Sequence, residues 1–310
     1  MKRVSGKGTI TYDNGDVYEG ALKDGALDGV GKMTYKDGLV CEGIWKKGEI
    51  EYEGGLNENG KPHGRGKWIY SDGTYVGDWQ HGKFHGKGTY KWRDGDVYEG
   101  EYKDGERNGK GIYKWSDGRS FEGEYKDGKK NGHGTFKRSD GSVMYDGEYK
   151  DDKKHGKGTC YYENGDAYNG EWSAGKKQGQ GIMSYSNEDV YNGEWKEDCK
   201  DGQGTMKYHN GDLCHGEFSN DKMHGRGTYT YATGNLFKSI GEWKEGKKCG
   251  KFENIVRVEV SELAYYENDE LKTDPNLKRE APFNEDTDTE DEAPPTKRSN
   301  ICVSPPQPQV

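Results

Sequence analysis

HGKGTYKWRDGDVYEGEYKDGERN, residues 85–108, holds the reading that decides the fold. Tyr90 and Trp92 alternate with Thr89 and Lys91, and Tyr98, Gly100 and Tyr102 alternate with Glu99 and Glu101. Period-two alternation rich in aromatics and Thr reads as two short strands. Asp94-Gly95 supplies a tight turn between them, because glycine enters positive φ without a steric cost. Residues opposed in an antiparallel pair share a face. A two-residue loop would oppose Trp92 to Val97 and mix the faces. A three-residue loop, Asp94 to Asp96, opposes Trp92 to Tyr98, Tyr90 to Gly100 and Lys91 to Glu99. One face is then aromatic and the other pairs opposite charges, with a ring across a bare strand glycine. That register, or its equivalent with a glycine bulge, is the expected one. The second turn, Lys103 to Asn108, is expected to be longer and to lead into the next hairpin.

The same sentence recurs about ten times between Gly6 and Phe252, with a period of 23 residues. One glycine, in an aromatic-x-Gly-acid-aromatic frame, falls at Gly77, Gly100, Gly123, Gly147, Gly170, Gly193 and Gly216. A second, in a polar-Gly-x-Gly frame, falls at Gly88, Gly111, Gly134, Gly158, Gly181, Gly204 and Gly227. One residue is added before Tyr145. A fixed period of this size means an array of stacked small units. The predicted fold is all-β, an elongated single antiparallel meander of stacked β-hairpins. About 20 strands at ~4.8 Å spacing give a ribbon on the order of 100 Å long.

Composition agrees only through its aromatics. Leu, Ile, Val and Phe make up 38 of 310 residues and 33% of the chain is charged, a disorder-like balance. The 23 Tyr and 8 Trp carry the apolar area instead. Of the net charge of −9, residues from Glu253 onward hold 14 acids and 6 bases, leaving residues 1–252 near −1. Such an array has no overall basic footprint for nucleic acid. The six cysteines show no CxxC pair, and Cys41 and Cys214 stand where other repeats have Tyr or Phe. A reducing, cytoplasmic compartment is expected, with no metal and no cofactor. His63, His85, His155 and His224 share one repeat position with Asn, Asp and Gln, which suits a turn and not ligation. No run of about 18 apolar residues or signal-peptide core is present.

Tyr98-Glu99-Gly100-Glu101-Tyr102, with the Gly86-x-Gly88 and Asp94-Gly95 signals of each repeat, resembles the MORN repeat. The resemblance covers residues 5–252. It implies stacked hairpins in an elongated, often curved sheet. It also implies roles in membrane–cytoskeleton contacts, in ciliary radial spokes, or beside the catalytic domains of some kinases and methyltransferases. YEGGLNENGKPHGRG, Tyr52 to Gly66, is similar to the opening of radial-spoke-head MORN proteins.

Departures from the period mark bends or caps. Gly54 follows Gly43 after 11 residues, Asn187-Glu188 replaces Asp-Gly, and extra residues lie between Gly234 and Ile240. The expected domains are a repeat array over 1–252, a terminal strand or cap over 253–269, and a disordered acidic, Pro-containing tail over 270–310. Val256, Val258 and Val260 alternate with Arg257 and Glu259, as in a strand covering the open edge. Thr287 and Thr289, with acids three residues on, and Ser304 before Pro305 are phosphorylation candidates.

No phosphate loop, GxSxG or HExxH is present. Glu101, Glu124, Glu148, Glu171, Glu194 and Glu217 recur at one repeat position, which structure demands and catalysis does not. The reading is a non-catalytic scaffold. Its partner is an elongated protein, a helix or extended peptide, of the cytoskeleton or a ciliary axoneme. The candidate groove is the row Trp79, Tyr102, Tyr125, Tyr149, Trp172 and Trp195; the structural alternative makes this row the array's core. A membrane-associated adaptor with peripheral lipid contact is the other reading, against which the near-neutral array counts.

Overall fold

The computed structural model describes residues 5–257, 266–267 and 270–271, and among them no helix occurs. Two compact units divide the described residues, the first holding 5–163 and 167–176, the second 164–166 and those from 177 onward.

The first unit opens with β1 (Gly6–Thr11), β2 (Val17–Lys23), β3 (Ala26–Thr34), β4 (Val40–Lys46) and β5 (Glu49–Leu56). It continues through β6 (Pro62–Ile69), β7 (Gly73–Gln80), β8 (Lys83–Trp92), β9 (Val97–Lys103) and β10 (Glu106–Lys114). β11 (Ser120–Lys126), β12 (Lys129–Lys137), β13 (Val143–Lys150), β14 (Lys153–Tyr161) and β15 (Ala167–Ser173) complete it. Each strand pairs antiparallel with its sequence neighbour, from β1·β2 to β14·β15. The second unit is built in the same way. Its strands are β16 (Lys176–Ser184), β17 (Val190–Lys196), β18 (Cys199–Lys207), β19 (Leu213–Ser219), β20 (Lys222–Thr230), β21 (Leu236–Lys244) and β22 (Lys247–Val256). They pair consecutively from β16·β17 to β21·β22. β22 runs unbroken through Phe252 and Glu253; Val258 and Val260 lie outside the described residues.

The faces follow the expected alternation, but the register differs from the expected one by two residues. Tyr90 opposes Tyr98, Thr89 opposes Glu99 and Gly88 opposes Gly100. A shift of two keeps every side chain on its face, so face chemistry alone could not distinguish these registers. Close approach of the backbone decides it. Gly100 faces Gly88 on one side and Gly111 on the other. A Cβ on Gly100 would come within 2.5 Å of the Gly111 Cα. Tyr98, not Tyr90, covers this glycine pair, and its hydroxyl donates to the Glu101 carbonyl at 3.2 Å.

The two turns also exchange roles. The loop after β8 is the longer, closed by Trp92 N–H to the Asp96 carbonyl at 2.9 Å and by Asp96 N–H to Asp94 Oδ1 at 3.1 Å. The second turn is the tight one. Lys103 pairs with Glu106 across Asp104-Gly105, whose φ values of 52° and 98° suit a type I′ hairpin. The segment assigned from sequence to a longer turn, Lys103 to Asn108, thus already re-enters the sheet at Glu106, and a bulge follows within β10 between Arg107 and Gly111, where Gly109 has φ 82°. The recurring acid explains that bulge: Glu148 Oε1 accepts Lys157 N–H at 3.0 Å, and Glu194 Oε1 accepts Gln203 N–H at 3.1 Å. The residue added before Tyr145 is absorbed as a second bulge, where Lys137 pairs with Val143 and Phe136 with Tyr145.

The short spacing from Gly43 to Gly54 inverts the array. β5 pairs Ile50 with Trp45 but Tyr52 with Ile44, across a register shift. Trp45 is buried with Tyr18, Leu22, Leu27 and Met33. Ile44 points away from them, so Tyr52 lies on the reverse face. There Tyr52 covers Gly66 and packs against Trp68 and Trp79 at ring-centroid distances of 5.5 and 5.4 Å. Glu53 correspondingly turns toward Cys41, whose thiol is pushed up by burial first and by the Glu53 charge second. One strand does the work of two, and the aromatic layer changes sides. The turn edge changes with it: Gly48 N–H bonds the Leu27 carbonyl at one edge, and Gly82 N–H bonds Pro62 after one further chain reversal.

Candidate partner-docking face

Five rows of side chains build the aromatic face in each repeat, one of them the buried Tyr90, Tyr113, Phe136 and Cys160 that oppose the deepest rings. The deepest row covers the glycine pairs and includes Tyr75, Tyr98, Phe121, Tyr145 and Tyr168, each 0% exposed. Beside it stands the row expected to form the groove. Trp79, Tyr102, Tyr125 and Tyr149 meet the deep rings edge-on, as in Tyr75–Tyr102 at 5.3 Å and 89° and Phe121–Tyr149 at 5.1 Å and 84°. Such pairs contribute roughly 0.5–1.5 kcal/mol each beyond their burial. The Trp172 indole N–H donates to the Gly158 carbonyl at 3.0 Å; in the second compact unit, Trp195 donates to Gly181 at 3.1 Å. All six residues of the row are 3–7% exposed. The structure thus places them as inner layer, in line with the structural alternative.

The accessible rings belong to a row that the sequence reading did not single out. Tyr70, Trp92 and Trp115 in the first unit, and Tyr185, Tyr208 and Tyr231 in the second, sit at the mouth of the longer loops and are half-buried. Trp92 bridges Tyr90 and Tyr113 at 4.5 and 5.3 Å, and Trp115 bridges Tyr113 and Phe136 at 4.6 and 5.2 Å. The loop beneath is clamped to the preceding repeat. Asp96 accepts the Tyr113 hydroxyl at 2.6 Å and Ser116 N–H at 2.8 Å; Asp212 does the same for Tyr229 and Ala232.

The last row was also unforeseen. It begins as Leu27, Pro62 and Phe84, and continues at the same repeat position as Arg107, Lys130 and Lys154, then Lys177, Lys200, Met223 and Lys248. These cations lie over rings. Arg107 is 5.3 Å from Tyr125, Lys130 is 5.1 Å from Phe121, and Lys154 is 4.6 Å from Trp172. In the second unit Lys177 is 4.1 Å from Trp195. Burial pushes the Lys130 ammonium down to about 8 against the opposing Asp152 charge, and lowers Lys177 and Lys200 as well. Their mixture with Leu, Phe and Met at one position was the signal available in the sequence.

Eleven segments match the MORN-repeat family model: residues 5–17, 18–40, 52–74, 75–97, 98–118, 121–143, 145–167, 168–190, 191–213, 214–236 and 240–251. The chain belongs to the MORN-repeat family. The unmatched gap at 41–51 coincides with the inverting strand pair β4–β5. MORN repeats are a non-enzymatic repeat type, and no catalytic family matches this chain. No curated protein is significantly similar. Among solved structures, the TCP domain of SAS-4 (dCPAP) from Drosophila melanogaster, in complex with a proline-rich motif of Ana2, is 10% identical. That match covers 76% of this chain and 90% of the other, at a TM-score of 0.22. Virginiamycin B lyase from Staphylococcus aureus is 9% identical over 73% and 91%, with a TM-score of 0.16. Neither likeness carries an argument about this MORN protein. Among the described residues no His, Cys, Asp and Glu group could hold a metal, and no helix is long and apolar enough to cross a membrane. Thr287, Thr289 and Ser304 lie outside the described residues.

Proposed function

We propose that this MORN array is a non-catalytic scaffold laying an elongated protein partner along its outer aromatic row, in the cytoplasm, within a cytoskeletal or axonemal assembly. The half-buried row of Tyr70, Trp92 and Trp115, repeated as Tyr185, Tyr208 and Tyr231, carries the reading. Tyr and Trp are favoured anchors, costing ≥ ~2 kcal/mol of affinity when truncated at a hot spot, and their even spacing suits a long partner. Tyr90, Tyr113 and Phe136 support Trp92 and Trp115, at ring-centroid distances of 4.5, 5.3, 4.6 and 5.2 Å. The radial-spoke-head reading rests on the similarity of Tyr52 to Gly66 alone.

Proximity labelling in ciliated cells, followed by affinity capture with Trp115→Ala, tests this. Axonemal or cytoskeletal proteins should dominate the labelling, and the variant should lose its partner while remaining folded. Retained capture by a folded Trp115→Ala would place docking elsewhere. Co-sedimentation with anionic vesicles in place of a protein partner would favour the membrane reading.

A further inference from the structure

Between β9 and β14 the aromatic face of the first unit changes charge. The acid that ends the longer loop is Asp16 and Asp96 in two earlier repeats, but the next two repeats carry Arg119 and Ser142 at that position. Arg138 stands where neighbouring repeats carry Trp115 and Tyr162. Arg119 Cζ and Lys130 Nζ both lie 5.5 Å from the Trp115 ring. Arg107 donates to the Gly128 carbonyl at 2.9 Å and Lys154 to Cys160 Sγ at 3.1 Å, and the nearby acids are engaged as well: Asp96 with Tyr113 and Ser116, Asp117 with Arg119 at 2.7 Å, and Asp152 with Lys130 N–H at 2.9 Å. Lys130 and Lys154 are only 9% and 8% exposed. They are set flush between rings, at positions that Leu27, Phe84 and Met223 show can be apolar. A desolvated cation kept where an apolar side chain packs equally well costs stability, and such a cost is retained where it serves binding.

We propose that this section takes an acidic peptide in polyproline II conformation, with a carboxylate at every third residue seated over Arg107, Lys130 and Lys154. The inference rests on reading the aromatic face as the docking surface, and adds the partner's chemistry. The three cations sit on alternate strands, β10, β12 and β14, so they recur at about 10 Å. Three polyproline II residues advance about 9.3 Å and return to the same side of the chain. An extended strand returns to one side at about 6.6 or 13 Å, which matches neither interval. A helix, about 10–12 Å across with its side chains, would hold its backbone too far above flush ammoniums. A lipid surface is disfavoured because flush cations cannot reach into headgroups as protruding lysines do.

The test uses the full chain and a fluorescent (Glu-Pro-Pro)4 peptide, read by anisotropy at low and physiological salt. Saturable, salt-sensitive binding is expected. Lys130→Met with Lys154→Met, which copies the Met found at position 223, should weaken it at least about tenfold without lowering the thermal midpoint. Equal binding by the folded double variant would overturn the proposal. So would equal affinity for a peptide of the same composition with its glutamates clustered at one end, or for a helical peptide with glutamates seven residues apart. Binding to anionic vesicles but not to the peptide would overturn it too. Trp115→Ala separates the two layers: if an axonemal partner is lost with Trp115→Ala but kept by the double variant, the docking face stands and this partner chemistry fails.

Discussion

β2 and β9 obey one rule on opposite faces of the same sheet. Tyr18 covers Gly20 and Gly31 and donates to the Ala21 carbonyl at 3.0 Å; Tyr98 covers Gly100 and Gly111 and donates to Glu101. The block β1–β4 and the block β6–β15 therefore share their local construction and differ in two respects. The face carrying the rings is reversed at β5, and the lid over the rings passes from Leu27 to Arg107, Lys130 and Lys154. Local sequence decides which side of a strand is aromatic. The number of strands and the bulges between them decide which side of the sheet that becomes.

The largest expected effect tests the shared rule. Gly20→Val and Gly100→Val should each cost more than about 4 kcal/mol, the range of severe core disruption, because a Cβ at either site meets the facing strand's backbone. Glu99→Val, on the solvated face, should stay within about 0.5 kcal/mol. Thermal or denaturant unfolding reads all three, and a tolerated Gly20→Val would break the equivalence of the blocks.

Exchanging the lids comes next. Leu27→Lys should destabilise by about 2 kcal/mol, and Lys130→Met should stabilise by a similar amount at pH 7. The sign of the pH dependence follows from Lys130. Its folded value of about 8 lies below the ordinary lysine value of about 10.4, so the unfolded chain binds more protons between the two. Stability contributed by this residue is therefore lowest below pH ~8 and rises toward pH ~10. Chemical denaturation at pH 7.5 and 9.5 should show a gain in wild type that Lys130→Met lacks; equal gains would show that the ammonium is not desolvated.

The smallest effect compares loop clamps. Asp96→Ala should cost about 2 kcal/mol, since it strips the buried Tyr113 hydroxyl and Ser116 N–H of their acceptor. Arg119→Ala at the equivalent position removes an exposed pair with Asp117 and should cost under about 1 kcal/mol.

Much of this construction was legible in residues 85–108. The period, the strands, the aromatic face and the solvated face follow from alternation, which a two-residue slip leaves intact. The register was not legible, because nothing in side-chain polarity says that two glycines must face one another. The turns were misassigned because Asp-Gly occurs in both, at 94–95 and 104–105, and only the partner carbonyls distinguish them. Reversal at β5 needs the count of strands between Gly43 and Gly54, not their composition. The outer ring row escaped notice because Trp92 and Trp115 read as ordinary strand ends. The cationic lid was hidden among 47 Lys and Arg, most of them on the solvated face.

The central claim is that facing glycines set the register and that the aromatic layer changes sides at β5. Cross-strand nuclear Overhauser contacts in a sample labelled at Gly, Ile, Tyr and Trp test it most directly. Hα–Hα contacts are expected between Gly88 and Gly100, and side-chain contacts pairing Ile44 with Tyr52 and Ile50 with Trp45. Contacts from Tyr90 to Gly100 across the hairpin, or from the Trp45 ring to the Tyr52 ring on a common face, would contradict it.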